Sequence, residues 1–262
     1  ATLCASCTLM EGGLPMKILL LDIESAPLTQ YRWSMYQDSF DPASLVSDTY
    51  MLCWSAKWAD EKEVMSSSVL KGKTSMLNEI RGLLHEADVV VHYYGSKFDI
   101  PMLNNEFLRE KLTPPSPYKQ VDLCTIMKRS FRFASSKLQY ISKHLGLGEK
   151  VKHEGFELWL KCMAGNKDAF RTMLAYNKQD VILLEKLYKR LLPWIELHPN
   201  HGVYSDVDGC PACGSTKFHA RGTVATHNAR YQRFQCQDCG KWFRGSKPVH
   251  NKRPLGTRNV RP

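Results

Sequence analysis

The sequence predicts an α/β domain with a mixed sheet, followed by a small cysteine-paired module. Three observations predict it. Strand-like apolar runs come first and then alternate with segments of helical period, the order expected of a sheet covered by helices. Two C-x2-C pairs lie close together near the C-terminus. The positive charge collects in that same stretch: residues 201–262 hold 11 Lys/Arg against 3 Asp/Glu, whereas residues 1–200 hold 25 against 23.

The elements follow in chain order. Residues 1–15 lack periodicity and read as a leader or expression-derived extension, because Met16-Lys17 is followed at once by an apolar strand over Lys17–Ile23. Tyr50–Trp58 and Glu63–Leu70 are β-rich and follow closely, as in a meander. Met76, Leu77, Ile80, Leu83 and Leu84 give Ser75–Glu86 a helical period. Asp88–Tyr94 is again strand-like, with Val89–Val91 as its apolar centre. Ile100–Leu112 reads as a helix closed by Pro114 and Pro115. Ser135–Leu145 opens on serines suited to N-capping and stops at Gly146. Lys167–Leu192 is the longest helical pattern, ended by Pro193. A linker is expected near His198–Asp208, where Pro199, Asn200 and Gly202 gather. The expected boundaries are therefore 16–198 for the large domain, 206–247 for the module and 248–262 for a basic flexible tail.

Composition narrows the class of protein. With 43% apolar and 24% charged residues the chain is neither collagenous, coiled coil nor disordered throughout. No run reaches the roughly 18 uncharged apolar residues of a membrane span, and no basic segment followed by an apolar one marks a secretory signal. Nine cysteines, an odd count, argue against a disulfide framework and for a reducing, intracellular setting. The net charge of +10 points toward polyanions, nucleic acid first, with a solubilising tail as the alternative. Cys4 and Cys7 form a lone pair in the leader and are read as incidental, while Cys53, Cys124 and Cys162 are read as buried or inert.

Three islands place acids where a core would not want them. In Leu21-Asp22-Ile23-Glu24 the two carboxylates are two apart on a strand and face the same side. Their repulsion calls for a cation, and hard oxygen donors suit Mg²⁺ or Mn²⁺; solvated acids at a strand end are the alternative. Asp99, after Tyr94-Gly95-Ser96-Lys97-Phe98, stands where an acid can cap a helix. Tyr176 and Asp180 are four apart and share a helix face beside Val181, Leu183 and Leu184, where an unpaired acid is costly.

In this order the islands resemble the three motifs of the DEDD exonuclease superfamily: D-x-E at Asp22 and Glu24, a G-x-x-F-D variant at Gly95, Phe98 and Asp99, and Y-x-x-x-D at Tyr176 and Asp180. The tyrosine matches the DEDDy branch; the histidine of the sister branch would fall at Ala175. The likeness runs from about Lys17 to Trp194. The stretches Lys119–Leu123, Ser136–Leu138 and Glu157–Trp159 are similar to a phage and bacterial subgroup of ribonuclease H-like exonucleases. The family's usual Asn before the motif glycine is Tyr94 here. The resemblance implies a ribonuclease H-like fold and metal-dependent 3′→5′ removal of nucleotides from nucleic-acid ends. It implies two Mg²⁺ or Mn²⁺ held by Asp22, Glu24, Asp99 and Asp180, with Tyr176 orienting the attacking water. A phenol of ordinary pKa near 10 is a poor base, so its role is positioning. Single-stranded DNA is the favoured substrate, with RNA possible, and the implied setting is a bacterial or phage-infected cytoplasm without membrane association. The alternatives are an exoribonuclease, or a catalytically weak adaptor that binds DNA through the C-terminal module.

In that module Cys210 and Cys213 are followed by Gly214, and Cys236 and Cys239 by Gly240, with 22 residues between the pairs. Four thiolates in two glycine-closed knuckles suit one structural, tetrahedral Zn²⁺, and the module resembles a zinc ribbon; a redox dithiol pair is the alternative. Phe218–Arg221 and Tyr231–Gln235 are candidate hairpin strands. Arg230, Arg233, Lys241 and Arg244 are candidate phosphate contacts and Trp242 a candidate base-stacking residue, while about half of the interleaved aromatics must pack the small core. In the large domain Phe98 and Lys137 are candidate nucleic-acid contacts. Asp122 is read as a helix cap, Trp159 as core, and His144 and His153 as structural.

Overall fold

The computed structural model describes residues 15–36, 39–59, 61–205 and 207–250. Cys4, Cys7, nearly all of the expected leader and tail residues 251–262 lie outside them. The chain divides into two compact units, one of them Lys17–Tyr188 and the other beginning at Lys189. Among the described residues no helix is long and apolar enough to cross a membrane.

The first unit contains, in order, β1 (Ile18–Ala26), β2 (Thr29–Gln30), β3 (Leu45–Ser47), β4 (Tyr50–Trp58), β5 (Met65–Ser68), α1 (Lys73–Glu86), β6 (Val89–His92), α2 (Asp99–Arg109), β7 (Lys119–Asp122), α3 (Leu123–Ser130), α4 (Leu138–His144), α5 (Phe156–Met163) and α6 (Lys167–Leu191), which runs on past the unit's end. Five strands make one mixed sheet in the order β5-β4-β1-β6-β7. The β1–β4 and β4–β5 pairs are antiparallel, and β1–β6 and β6–β7 are parallel. The strand after Trp58 is shorter than its sequence suggests: it stops at Ser68, and Val69–Lys71 turns away as a 3-10 helix.

The apolar alternation of β1 explains how the helices are laid down. Leu19, Leu21 and Ile23 point to one side, into a core with Met76, Leu77 and Ile80 of α1 and Leu103 and Phe107 of α2. The Trp54 indole donates to the Met76 carbonyl at 2.9 Å and locks β4 to α1. On the other face Leu52, Leu158, Phe170 and Met173 join α5 and α6 to the sheet. Asp22 and Glu24 alternate with the first set and so belong to the α6 side. A shielded ion pair, Lys57 to Glu185 at 2.8 Å, fixes α6 across β4.

The helix expected to open at Ser135 begins instead at Leu138. The Ser135 hydroxyl accepts the Lys137 amide at 3.3 Å and folds the preceding loop rather than capping a helix. β7, α3 and α5 were not marked by periodicity; β7 buries a single side chain, Val121, and the two helices have 8 residues each.

In the second unit β8 (Phe218–Ala225), β9 (Arg230–Cys236) and β10 (Trp242–His250) form an antiparallel sheet in the order β10-β9-β8. Both predicted hairpin strands are present and longer, and a third extends through Pro248, so 248–250 belong to a strand and not to the tail. Phe218, Phe234 and Phe243 pack with ring centroids 5.2–5.5 Å apart and form the apolar centre. Gly214 and Gly240 hold φ 72° and 77°, the left-handed turn that each cysteine knuckle needs.

Candidate active site

β1 carries Asp22 and Glu24 out of the apolar core toward α6, and its register with β4 shifts just after Glu24. Such an irregularity commonly sits beside a site because it re-aims side chains. From α6, Asp180 points back at them, and the carboxylate oxygens of Asp22, Glu24 and Asp180 all lie within 4.8 Å of one another. Asp99 is the first residue of α2 and is buried. Its Oδ1 accepts the Ile23 amide at 3.1 Å, so it braces the strand between the two β1 acids instead of capping its own helix. All four acids and Tyr176 line one open cavity of about 820 Å³.

The loop that delivers Asp99 is held by groups with little sequence signal. Tyr94 adopts φ 68°, a left-handed conformation that strains a bulky residue and suits Asn. Its amide donates to Asp122 Oδ1 at 3.0 Å, and the Ser96 hydroxyl donates to Asp122 Oδ2 at 2.5 Å. Asp122 also takes the Thr125 amide at 3.2 Å, so it does cap α3 while tying down the loop. Gly95 leaves no room for a side chain: a Cβ there would fall 2.6 Å from the His92 ring, whose Nδ1 accepts the Gly95 amide at 3.1 Å.

The charges crowd one another. Burial, then Asp180, Asp99 and Glu24, hold the Asp22 carboxyl well above the usual carboxylate range. Burial and Asp180 push Glu24 up to about 8, and burial pushes Asp99 up to about 7. Asp180 is raised by burial and relieved by Lys150. The buried Asp180 Oδ1 and Asn177 Oδ1 have no hydrogen-bond partner. Oxygen donors, excess negative charge and an unpaired buried carboxylate oxygen fit a hard divalent cation.

Four groups here were missed or placed otherwise by the sequence reading. Lys150, from the loop between α4 and α5, donates from Nζ to the Tyr176 hydroxyl at 2.9 Å and to Asp180 Oδ2. Burial opposes its charge, but Asp180 and Tyr176 outweigh that and hold its pKa above the ordinary lysine value. Asn177 Nδ2 donates to Asp22 Oδ2 at 2.7 Å from the helical turn between Tyr176 and Asp180. Trp159, expected in the core, is half-buried and hydrogen-bonds the Glu24 carboxylate. His153, expected to be structural only, packs edge-on against the Tyr176 ring with centroids 4.8 Å apart and lines the cavity. Burial and Asp180 push the Tyr176 phenol up to about 12, which rules it out as a base near neutral pH.

Phe98 and Lys137 both line this cavity, and Phe98 is exposed. In the second unit Arg233 lies over the Trp242 ring at 4.8 Å and Arg244 over the Tyr231 ring at 3.9 Å. Arg230 is exposed. Lys241 turns inward: its Nζ donates to the carbonyls of Ile195 at 2.7 Å and Pro193 at 3.3 Å, so it serves the unit's own packing rather than a phosphate. The Cys210–Cys239 and Cys213–Cys236 sulfur pairs are each 3.6 Å apart, and all four sulfurs group together. A Zn–S bond of about 2.3 Å in a tetrahedron requires sulfurs about 3.8 Å apart, so the cluster fits zinc.

The raised carboxyls set a pH dependence for the protein free of Mg²⁺ and Mn²⁺. A carboxyl whose folded pKa exceeds its unfolded value binds its proton more tightly when folded. Its contribution is complete below about pH 4 and is lost as pH rises through the folded values near 7 and 8. The melting temperature should therefore fall between pH 5.5 and 8.5 in wild type, and fall less in Asp22→Asn. Parallel profiles for the two proteins would remove the shared-charge account.

Residues 48–192 match the model of the RNase_H superfamily. That span contains Asp99, Tyr176 and Asp180 and begins beyond β1. A search of curated proteins finds no match. Among solved structures, the family B DNA polymerase from the hyperthermophilic archaeon Pyrobaculum calidifontis is similar at TM-score 0.48 and 18% identity, over 69% of this chain and 25% of that one. The chain thus spans about a quarter of that polymerase's length.

Proposed function

This chain belongs to the RNase_H superfamily, and on that premise we propose that its Lys17–Tyr188 unit is a metal-dependent 3′→5′ exonuclease of the DEDDy type. Superfamily membership supports nuclease activity. The observation that carries the finer reading is the convergence of Asp22, Glu24 and Asp180 within 4.8 Å, beside Asp99 and Tyr176. Asp22, Glu24, Asp99 and Asp180 would hold two Mg²⁺ or Mn²⁺. When bound, such a pair supplies a nucleophilic water and stabilises both the developing charge and the leaving oxygen.

The chain's own groups do the positioning. Lys150 holds the Tyr176 hydroxyl from one side and Asp180 holds Lys150, so the phenol has a fixed direction. In this reading Tyr176 orients the attacking water by a hydrogen bond and does not take its proton. Asn177 keeps one Asp22 oxygen occupied and leaves the other for a cation. Phe98, exposed at the cavity mouth, offers a face for the terminal base. Tyr176→Phe keeps the ring packing against His153 and deletes only the hydroxyl. It should lower the single-turnover rate by roughly 10²–10³-fold, the scale of removing one oriented donor. An unchanged chemical rate would make Tyr176 a packing residue.

The second unit is read as a zinc ribbon that anchors nucleic acid. On β9 and β10 the paired positions alternate in side: Phe234 and Phe243 turn to the core, whereas Arg233 and Arg244 turn out with Tyr231 and Trp242. Cations stacked on aromatic rings make a platform suited to unpaired bases and phosphates. The ribbon offers no carboxylate cluster, so its task is affinity.

The test uses DNA and RNA oligonucleotides labelled at the 5′ or the 3′ end, incubated with Mg²⁺ or Mn²⁺. The reading expects immediate release of a mononucleotide from the 3′-labelled strand and a descending ladder from the 5′-labelled one. First products cut internally, or released from the 5′ end, would overturn it.

A further inference from the structure

We propose that a second, basic groove beside the active-site cavity binds the phosphates of the nucleic-acid strand upstream of its terminal nucleotide. The inference rests on the exonuclease reading and adds to it the path by which the strand reaches the site.

The groove is a cavity of about 750 Å³ formed by the end of α3 and the loop that follows it. Its cations are Lys128, Arg129 and Arg132, and no Asp or Glu lines it. All three side chains are exposed. Ser130 and Ser135 add hydroxyls, and Phe131 and Phe133 flank Arg132 with their rings 6.2 Å apart. Basic side chains interleaved with aromatics and hydroxyls, without acids, match the chemistry of a single strand's backbone and bases.

Continuity with the active-site cavity decides the occupant. Lys128 and Ser136 line both cavities, so one leads into the other. The loop is held at the junction, where the Tyr93 hydroxyl donates to the Ser136 carbonyl at 2.5 Å. Lys128 is placed there by the Tyr94 ring, 4.9 Å from its Nζ. One end of the continuous space is acidic and suits cations; the other is basic and suits the next phosphates. A strand whose last linkage sits at the acids has its neighbouring linkages within this groove. Acidic peptides share the charge, but their sparse carboxylates do not repeat as phosphates do and have no reason to end at a second acidic site.

The test compares Arg132→Glu and Arg132→Ala with wild type on two substrates. One is a single-stranded DNA oligonucleotide. The other is thymidine 5′-(4-nitrophenyl phosphate), which carries the scissile linkage and no upstream phosphate. The groove reading expects the oligonucleotide KM to rise about tenfold in Arg132→Glu with kcat kept, and less in Arg132→Ala. It expects unchanged kcat/KM on the small ester. The slope of log affinity against log salt should fall by about one, as for one lost phosphate contact. Arg132 is exposed, so thermal melts should match wild type. Equal losses on both substrates, or no loss on the oligonucleotide, would overturn the groove. If wild type cleaves neither substrate, the exonuclease reading falls separately. The groove is then judged by oligonucleotide affinity, where an unchanged salt slope in Arg132→Glu sinks it.

Discussion

Asp22→Asn and Asp180→Asn are each expected to lower single-turnover cleavage by at least about 10³-fold, beyond the loss from removing one oriented hydrogen-bond donor. The amide keeps the shape of the carboxyl and removes the charge that a cation needs. The two variants should differ in stability, and that difference identifies the site. At Asp22 the neighbours are mostly negative: Asp180, Asp99 and Glu24 all raise its pKa beyond what burial does. Neutralising it relieves repulsion, so Asp22→Asn should melt higher than wild type at pH 8 without Mg²⁺. Asp180 instead holds the Lys150 ammonium, which is largely shielded. Asp180→Asn leaves that cation without its counter-charge and should melt lower, because an unpaired buried charge is costly. Added Mg²⁺ should raise the wild-type melting temperature and leave both variants nearly unmoved. Near wild-type turnover in Asp22→Asn would show that the site is misassigned. Stabilities of equal sign would show that Lys150 does not balance Asp180 in solution.

The legibility of this chain followed the physics of each element. β1, β4 and α6 were readable because their apolar residues repeat with a period and the core demands it. The cysteine knuckles were readable because ligand spacing and the following glycines are local. The acids on β1 and α6 were visible as charges set against apolar stripes, although their convergence came from family likeness and not from spacing. Asp99 was ambiguous for a good reason: it does begin a helix, and only the fold reveals that its carboxylate reaches Ile23, 76 residues away. Lys150 was out of reach altogether. It lies in an aperiodic loop, and its partners Tyr176 and Asp180 are 26 and 30 residues distant. Lys241 read as a surface cation, because nothing in its neighbours announces that two carbonyls near Pro193 take its ammonium.

Removal of zinc is expected to unfold the C-terminal unit while the Lys17–Tyr188 unit stays folded. Apart from its cysteines, the ribbon has one small cluster of three phenylalanines as its centre. A core of that size cannot offset the entropy of ordering three strands. Structural zinc in such modules contributes on the order of 10 kcal/mol, and that energy is folding energy. Cys210→Ser should therefore abolish stoichiometric zinc and the ribbon's protected amides in hydrogen exchange, with the β1 and β4 amides still protected. Four thiolates leave no open position for water, so the chemical step should survive. A chain ending at Pro199 should show the same separation: intact single-turnover cleavage at saturating enzyme, with weaker binding of single-stranded DNA. Each phosphate neutralised on a single strand contributes about 0.7 to the salt slope, so losing Arg230, Arg233 and Arg244 should lower it by about 2. Equal slopes for the two chains would exclude the ribbon as a DNA anchor and leave a protein partner as its target. Loss of cleavage at saturation, in a truncated unit whose β1 amides remain protected, would mean that the ribbon helps to complete the active site.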